Sequence, residues 1–170
     1  PESSGAAGEV TYPGMKIKQG QKVRNAAGLG SMGFGLPYAI GACLAHDHRR
    51  TVLINGDGAF QMNIQELETL VRLKLPVKMV IWDNAGYASI VNTQRNMFNG
   101  FKVGSDPESG LTLPDVCLQA QAYGIRTLII PDNASLKAKI AEALQGTDPV
   151  ICKVCVTPNH ITMPKVQAQR

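Results

Sequence analysis

Asp57 and Asn84 are the residues whose types and spacing point to chemistry. Asp57 lies between two glycines in Gly56-Asp57-Gly58, and Asn84 follows 27 positions later. A carboxylate oxygen, an amide oxygen and a backbone carbonyl make half of an octahedral oxygen shell. That is the geometry Mg²⁺ requires, with phosphate oxygens and water completing it. The flanking glycines permit close backbone approach, and the N–H groups of Gly58 and Ala59 fall where a helix begins, which favours an anion. The pair therefore describes a site for a metal-bound diphosphate. Gly-Asp-Gly alone is a weak signal, because both residue types are common in turns after any strand.

The elements that must carry these residues follow from periodicity. Met32 to Ala45 has small and apolar residues at helical density and ends at His46-Asp47-His48-Arg49-Arg50. Thr51 to Asn55 is a β-branched run stopped by Gly56-Asp57-Gly58, whereas Ile64, Leu67, Leu70, Val71 and Leu73 repeat at helical spacing. Pro76 to Trp82 is a second strand-length run, followed by the polar turn Asp83-Asn84-Ala85-Gly86. A strand, a helix and a strand are thus expected, and Asp57 and Asn84 should be neighbours beyond the carboxyl ends of two parallel strands, where ligands gather in such sheets. The pattern resumes with a helix at Leu113 to Tyr123, a strand at Arg126 to Ile130, a helix at Ser135 to Leu144 and a strand at Pro149 to Val156. The expected fold is α/β, a three-layer, doubly wound parallel sheet with helices on both faces. Asn96 to Gly110 is a polar loop longer than most connections, which marks it as functional or mobile. The start and the tail, from Thr157 to Arg170, carry no core periodicity.

With 170 residues, 44% of them apolar and 18% charged, the chain has the size and composition of one globular domain, taken as 1–170. No apolar run reaches the roughly 18 residues needed to span a bilayer. The net charge of +4 is scattered and aromatics make up only 5%, so the basic, aromatic-laced footprint of a nucleic-acid binder is missing. Four cysteines, Cys43, Cys117, Cys152 and Cys155, are too few for a disulfide framework. A reducing, cytoplasmic setting is the expectation. Cys152 and Cys155 are three apart in a strand and face opposite sides, so they cannot share an ion. His46, His48 and His160 lack partners for a metal site. The start at Pro1 is neither an initiator methionine nor a signal peptide, and it reads as a cut end.

Upstream of both motifs stands Gly28-Leu29-Gly30-Ser31-Met32-Gly33-Phe34-Gly35-Leu36-Pro37. Together with Gly56-Asp57-Gly58 and Asn84, it resembles the C-terminal domain of the acetohydroxyacid (acetolactate) synthase and pyruvate decarboxylase family, enzymes dependent on thiamine diphosphate. The similarity runs from about Gly28 to Pro164. It implies that the Gly30 carbonyl, beside Ser31, accepts the 4'-amino group of the aminopyrimidine. Met32 would be the wedge that bends the cofactor until its amino nitrogen meets the acidic thiazolium C–H, a case of enforced proximity. Without the flanking glycines, Met32 would read as core filling. The resemblance further implies Mg²⁺ ligation by Asp57, Asn84 and the Gly86 carbonyl. Gly56, Gly58, Ala59, Tyr87, Ala88 and Ser89 would surround the phosphates, and Ile90 would stand near the reacting carbon or simply be one more buried aliphatic. The implied activity is 2-oxo acid decarboxylation or carboligation, with pyruvate as the expected substrate, in a homodimer or homotetramer without nucleic-acid or membrane partners. FAD would be an additional cofactor of some full-length members.

Two departures qualify the match. The glutamate that activates the aminopyrimidine belongs to a pyrimidine-binding domain from the same or another chain, and nothing in these residues can be that domain. The first strand expected in the diphosphate domain is also missing from the start of the sequence. The chain is therefore expected to be the C-terminal piece of a longer enzyme, with a separate small subunit or a non-catalytic diphosphate-binding domain as alternatives. In acetohydroxyacid synthases a tryptophan after the Mg²⁺ asparagine helps to select the second oxo acid. Here the matching position is near Thr93, and the only tryptophan, Trp82, precedes the asparagine. Another acceptor, such as a sugar-nucleotide ketone, is then the expectation.

Overall fold

The computed structural model describes residues 1, 5–26, 28–158 and 160–161. Among them, four strands form one parallel sheet: β1 (Thr51–Gly56), β2 (Val77–Asp83), β3 (Arg126–Ile130) and β4 (Val150–Cys155), in the order β1-β2-β4-β3. The helices around it are α1 (Gly5–Gly14), α2 (Gly35–Ala45), α3 (Asp57–Gln61), α4 (Glu66–Arg72), α5 (Ala88–Met97), α6 (Val116–Ala122) and α7 (Asn133–Ala143). Parallel strands need crossovers, and helices supply them, so both faces of the sheet are covered.

The alternation of side chains along β4 divides the core. Ile151 joins Met79, Ile81, Leu67, Leu70 and Ala120 beneath α2, α4 and α6, whereas Val150 and Cys152 join Leu128, Ile130 and Ala143 beneath α7. Leu67 and Leu70 have no exposed surface, and burying each stabilises the fold by about 1.5–3 kcal/mol. Cys152 is buried and Cys155 exposed, on opposite faces. Among the described residues no helix is long and apolar enough to cross a membrane.

Several boundaries differ from the periodic reading. Gly33 has φ of +86°, a left-handed conformation that delays the start of α2 to Gly35. The helix expected around Ile64 to Leu73 is α4, Glu66–Arg72, and a separate short helix, α3, precedes it. They are separated by a turn in which Asn63 Nδ2 donates to the Gly33 carbonyl at 2.8 Å. Helix α1 replaces an irregular start because Ala6 and Ala7 are buried and the helix lies against β1 and α5. The largely polar α5 is a surface helix that buries only Ala88 and Val91.

The loop expected at Asn96 to Gly110 begins after α5 and is built around its own bonds. Lys102 Nζ binds Asp106 at 2.5 Å and Glu108 at 2.8 Å. Asp106 and Ser109 cap each other across a 3₁₀ turn, Pro107–Ser109. Ser105 is fully buried, and its hydroxyl donates to Gln94 Oε1 at 2.6 Å.

Candidate functional site

Register brings the two motifs together. Gly56 of β1 pairs with Trp82 of β2, so Asp57 and the segment Asp83-Asn84 leave adjacent strands at the same level. Asp57 starts α3 and is 6% exposed. Its Oδ1 accepts the Gly58 N–H at 2.8 Å and its Oδ2 the Gly86 N–H at 3.2 Å. Burial pushes the Asp57 carboxyl up to about 7, with the neighbouring Asp83 carboxylate adding to the shift and the two N–H groups opposing it.

The turn after β2 is forced. Ala85 has φ of +60°, which costs about 1 kcal/mol for a residue with a side chain. Its N–H donates to Asp83 Oδ1 at 3.3 Å. Gly86 follows beneath the long loop, where a methyl group would come within 2.6 Å of the Ser105 carbonyl oxygen. That carbonyl instead accepts the Tyr87 N–H at 2.8 Å. The long loop therefore braces the turn.

The outcome is a cluster of one carboxylate, one side-chain amide and one carbonyl. The Asn84 amide lies 3.2 Å from Asp57 Oδ1 and 2.7 Å from the Gly86 carbonyl oxygen, and its NH₂ donates to both in the hydrogen-bonded orientation; turned over, it presents its oxygen to the same point. Adjacent oxygens of an octahedral shell with bonds of about 2.1 Å lie about 3.0 Å apart. With the Asn84 amide turned to present its oxygen, one carboxylate, one amide and one carbonyl oxygen at this spacing fit a hard divalent cation. Among the described residues no group of three His, Cys, Asp or Glu side chains could hold a metal.

Several of the other expected residues have groups committed elsewhere. The Gly58 N–H is taken by Asp57 and the Tyr87 N–H by Ser105. The Ser89 hydroxyl donates to Glu9 of α1 at 2.8 Å. The Tyr87 ring covers Gly58 so closely that a methyl group there would overlap Cε1. Ala59 and Ala88 are buried, and Ile90 on α5 is 43% exposed. Gly30 has φ of +60°, and Ser31 and the half-buried Met32 follow it in the loop anchored by Asn63 to Gly33.

Sequence reasoning missed Asp83, Lys153, Asp115 and Ser105. Lys153 Nζ lies 2.8 Å from both Asp83 Oδ2 and Asp115 Oδ2. These carboxylates, Asp115 foremost, hold its ammonium above the ordinary lysine range. The available signal was a single charge inside the apolar run of β4. A cavity of about 740 Å³ beside the outer edge of β1, lined by Lys16, Arg24, Arg50 and Val52 among others, contains none of these residues.

Comparison with known proteins adds four findings. The family model "Thiamine pyrophosphate enzyme, C-terminal TPP binding domain" matches residues 4–154. The acetolactate synthase large subunit of Porphyra purpurea is 33% identical over 152 residues, covering 89% of this chain and 25% of its own length. Isozyme 3 of that large subunit from Escherichia coli (strain K12) is 39% identical over 121 residues, covering 71% and 21%. A solved structure, the thiamine diphosphate-dependent 4-hydroxybenzoylformate decarboxylase of Rhodococcus jostii RHA1, superposes with a TM-score of 0.65 at 27% identity. It covers 75% of this chain and 24% of its own. The chain thus spans about a quarter of the length of these relatives.

Proposed function

Because the chain belongs to the thiamine pyrophosphate enzyme family, as its C-terminal cofactor-binding domain, we propose that it anchors the diphosphate of thiamine diphosphate through Mg²⁺ in a 2-oxo acid decarboxylase or carboligase. The observation that supports this reading is the convergence of the Asp57 carboxylate, the Asn84 side-chain amide and the Gly86 carbonyl on one point, with Asn84 3.2 Å from Asp57 Oδ1 and 2.7 Å from the Gly86 oxygen. Asp57 would supply the anionic ligand, Asn84 and Gly86 the neutral ones. A buried carboxylate held on two N–H groups favours a cation as its further partner. When bound, thiamine diphosphate supplies the electron sink for breaking a bond beside a carbonyl group.

Met32, beside left-handed Gly30, is the proposed wedge under the cofactor, and Ile90 is the proposed apolar contact of the substrate. Pyruvate is the proposed donor, in keeping with the acetolactate synthases among the relatives. The acceptor is proposed to be a different ketone from that of acetolactate synthesis, since the position matching the selecting tryptophan, near Thr93, holds none. The Thr93 hydroxyl is turned back onto the Ser89 carbonyl at 3.0 Å. The pyrimidine-binding domain and its glutamate are proposed to come from elsewhere in a homo-oligomeric full-length enzyme.

Calorimetric titration of the full-length gene product with thiamine diphosphate, in Mg²⁺ and then in EDTA, tests the proposal. Saturable binding abolished by EDTA is expected. Binding that ignores the chelator would overturn the metal assignment.

A further inference from the structure

Beside the cluster of Asp57, Asn84 and Gly86, Lys153 joins two elements that share no chain connection nearby. Ile81 of β2 pairs with Lys153 of β4 in register, so Lys153 and Asp83 lie diagonally on one face of the sheet, the face covered by α6. Lys153 Nζ bridges Asp83 Oδ2 and Asp115 Oδ2, each at 2.8 Å, and its side chain is 18% exposed. Both carboxylates have a second task. Asp83 Oδ1 accepts the Ala85 N–H at 3.3 Å, inside the turn that presents Asn84 and Gly86. Asp115 Oδ1 caps α6 by accepting the Cys117 and Leu118 N–H groups at 2.8 and 3.0 Å.

We propose that Lys153 is a positioning residue of the cation–diphosphate site, acting through Asp83; this rests on the reading of Asp57, Asn84 and Gly86 as metal ligands. It does two things. By fixing Asp83, it holds the acceptor that ties down left-handed Ala85, so the Asn84 amide and the Gly86 carbonyl stay aimed at one point. By neutralising Asp83, it keeps an unbalanced negative charge from standing beside a bound diphosphate. Without it, Asp83 and Asp57 would confront each other and the anionic cofactor with no cation on the protein side. The carboxylate of Asp83 would also be free to swing, since Lys153 is the cation that holds its Oδ2.

The test is calorimetric titration of thiamine diphosphate into the full-length gene product at saturating Mg²⁺, for wild type, Lys153→Met, Lys153→Arg and the double variant Asp83→Asn/Lys153→Met. Methionine keeps bulk and removes charge. The dissociation constant of Lys153→Met should rise by about fivefold or more, while the double variant and Lys153→Arg stay within about twofold of wild type. In the double variant the net charge of the Asp83, Asp115 and Lys153 cluster returns to that of wild type, position 83 carries no charge beside the site, and the amide introduced there still offers an oxygen to Ala85. Rescue by Asp83→Asn is the signature that packing alone would not produce. A Lys153→Met variant that binds like wild type, or a double variant as weak as the single, overturns the proposal. If Lys153→Met does not fold, the other two variants decide: weak binding by either overturns it, and wild-type binding by both supports it. Wild-type binding that survives EDTA would sink the metal reading and this inference together. Metal-dependent wild-type binding with an unaffected Lys153→Met sinks the inference alone.

Discussion

Gly86 donates its backbone N–H to Asp57 Oδ2 at 3.2 Å while its carbonyl oxygen lies 2.7 Å from the Asn84 side-chain amide. A single residue thus binds one candidate ligand and is itself another. Its position is set from the far side by Ser105, whose carbonyl leaves no room for a methyl group. Gly86→Ala should therefore destabilise the protein by about 1–3 kcal/mol through overpacking against backbone. Thiamine diphosphate affinity should fall as well. Denaturant unfolding and calorimetry read the two effects, and an alanine variant unchanged in both would show that the turn is loose.

Asp57→Asn keeps shape and removes the anionic ligand. Cofactor affinity at low Mg²⁺ should drop by at least about tenfold, or about 1.4 kcal/mol, and excess Mg²⁺ should recover part of it. Titrations at two Mg²⁺ concentrations check this. Normal binding at low Mg²⁺ would reduce Asp57 to a turn residue.

The same variant should behave in the opposite sense without metal. A solvated carboxylate beyond a strand end would leave melting unchanged, but Asp57 is buried and its carboxyl is raised to about 7 from an ordinary 3.8. Between those values the folded state holds a proton that the unfolded state has lost, so metal-free stability falls as pH rises from about 4 to about 7 and stays low above. In EDTA at pH 8, Asp57→Asn should melt a few degrees above wild type, on the order of 1–2 kcal/mol after its lost acceptor is discounted. The two curves should converge near pH 4. Thermal melts across that range would expose an Asp57 that titrates normally as a pH-independent gap.

Met32→Ala addresses reactive geometry instead of anchoring. In the full-length enzyme, turnover should fall by about tenfold or more while the cofactor dissociation constant changes by less than about threefold. Steady-state kinetics beside calorimetry separates the two, and equal losses would identify Met32 as packing.

Local pattern carried much of this architecture. The apolar runs at Thr51, Pro76, Arg126 and Pro149 became the four strands; central β2 is buried almost throughout, as an unbroken apolar run requires, whereas the end strands β1 and β3 leave Val52 and Ile129 exposed. Polar α5 escaped such reasoning: its helix is held by two small buried contacts and by Ser89 meeting Glu9 of α1, 80 residues away. The irregular-looking start became α1 because β1 offers a surface on which Ala6 and Ala7 can be buried, and tertiary packing outweighs weak propensity.

For the site, the sequence by itself determined the donor types and their interval, since one strand-helix-strand unit between Asp57 and Asn84 returns the chain beside itself. Only the tertiary structure decided how the cluster is held. Ser105 reaches Gly86 and Tyr87 from a loop with no periodic signature, and Lys153 reaches Asp83 and Asp115 from a strand whose pattern marks it only as an odd charge. Such partners lie tens of residues apart and meet through sheet order and register, and no spacing along one chain encodes that β4 inserts between β2 and β3.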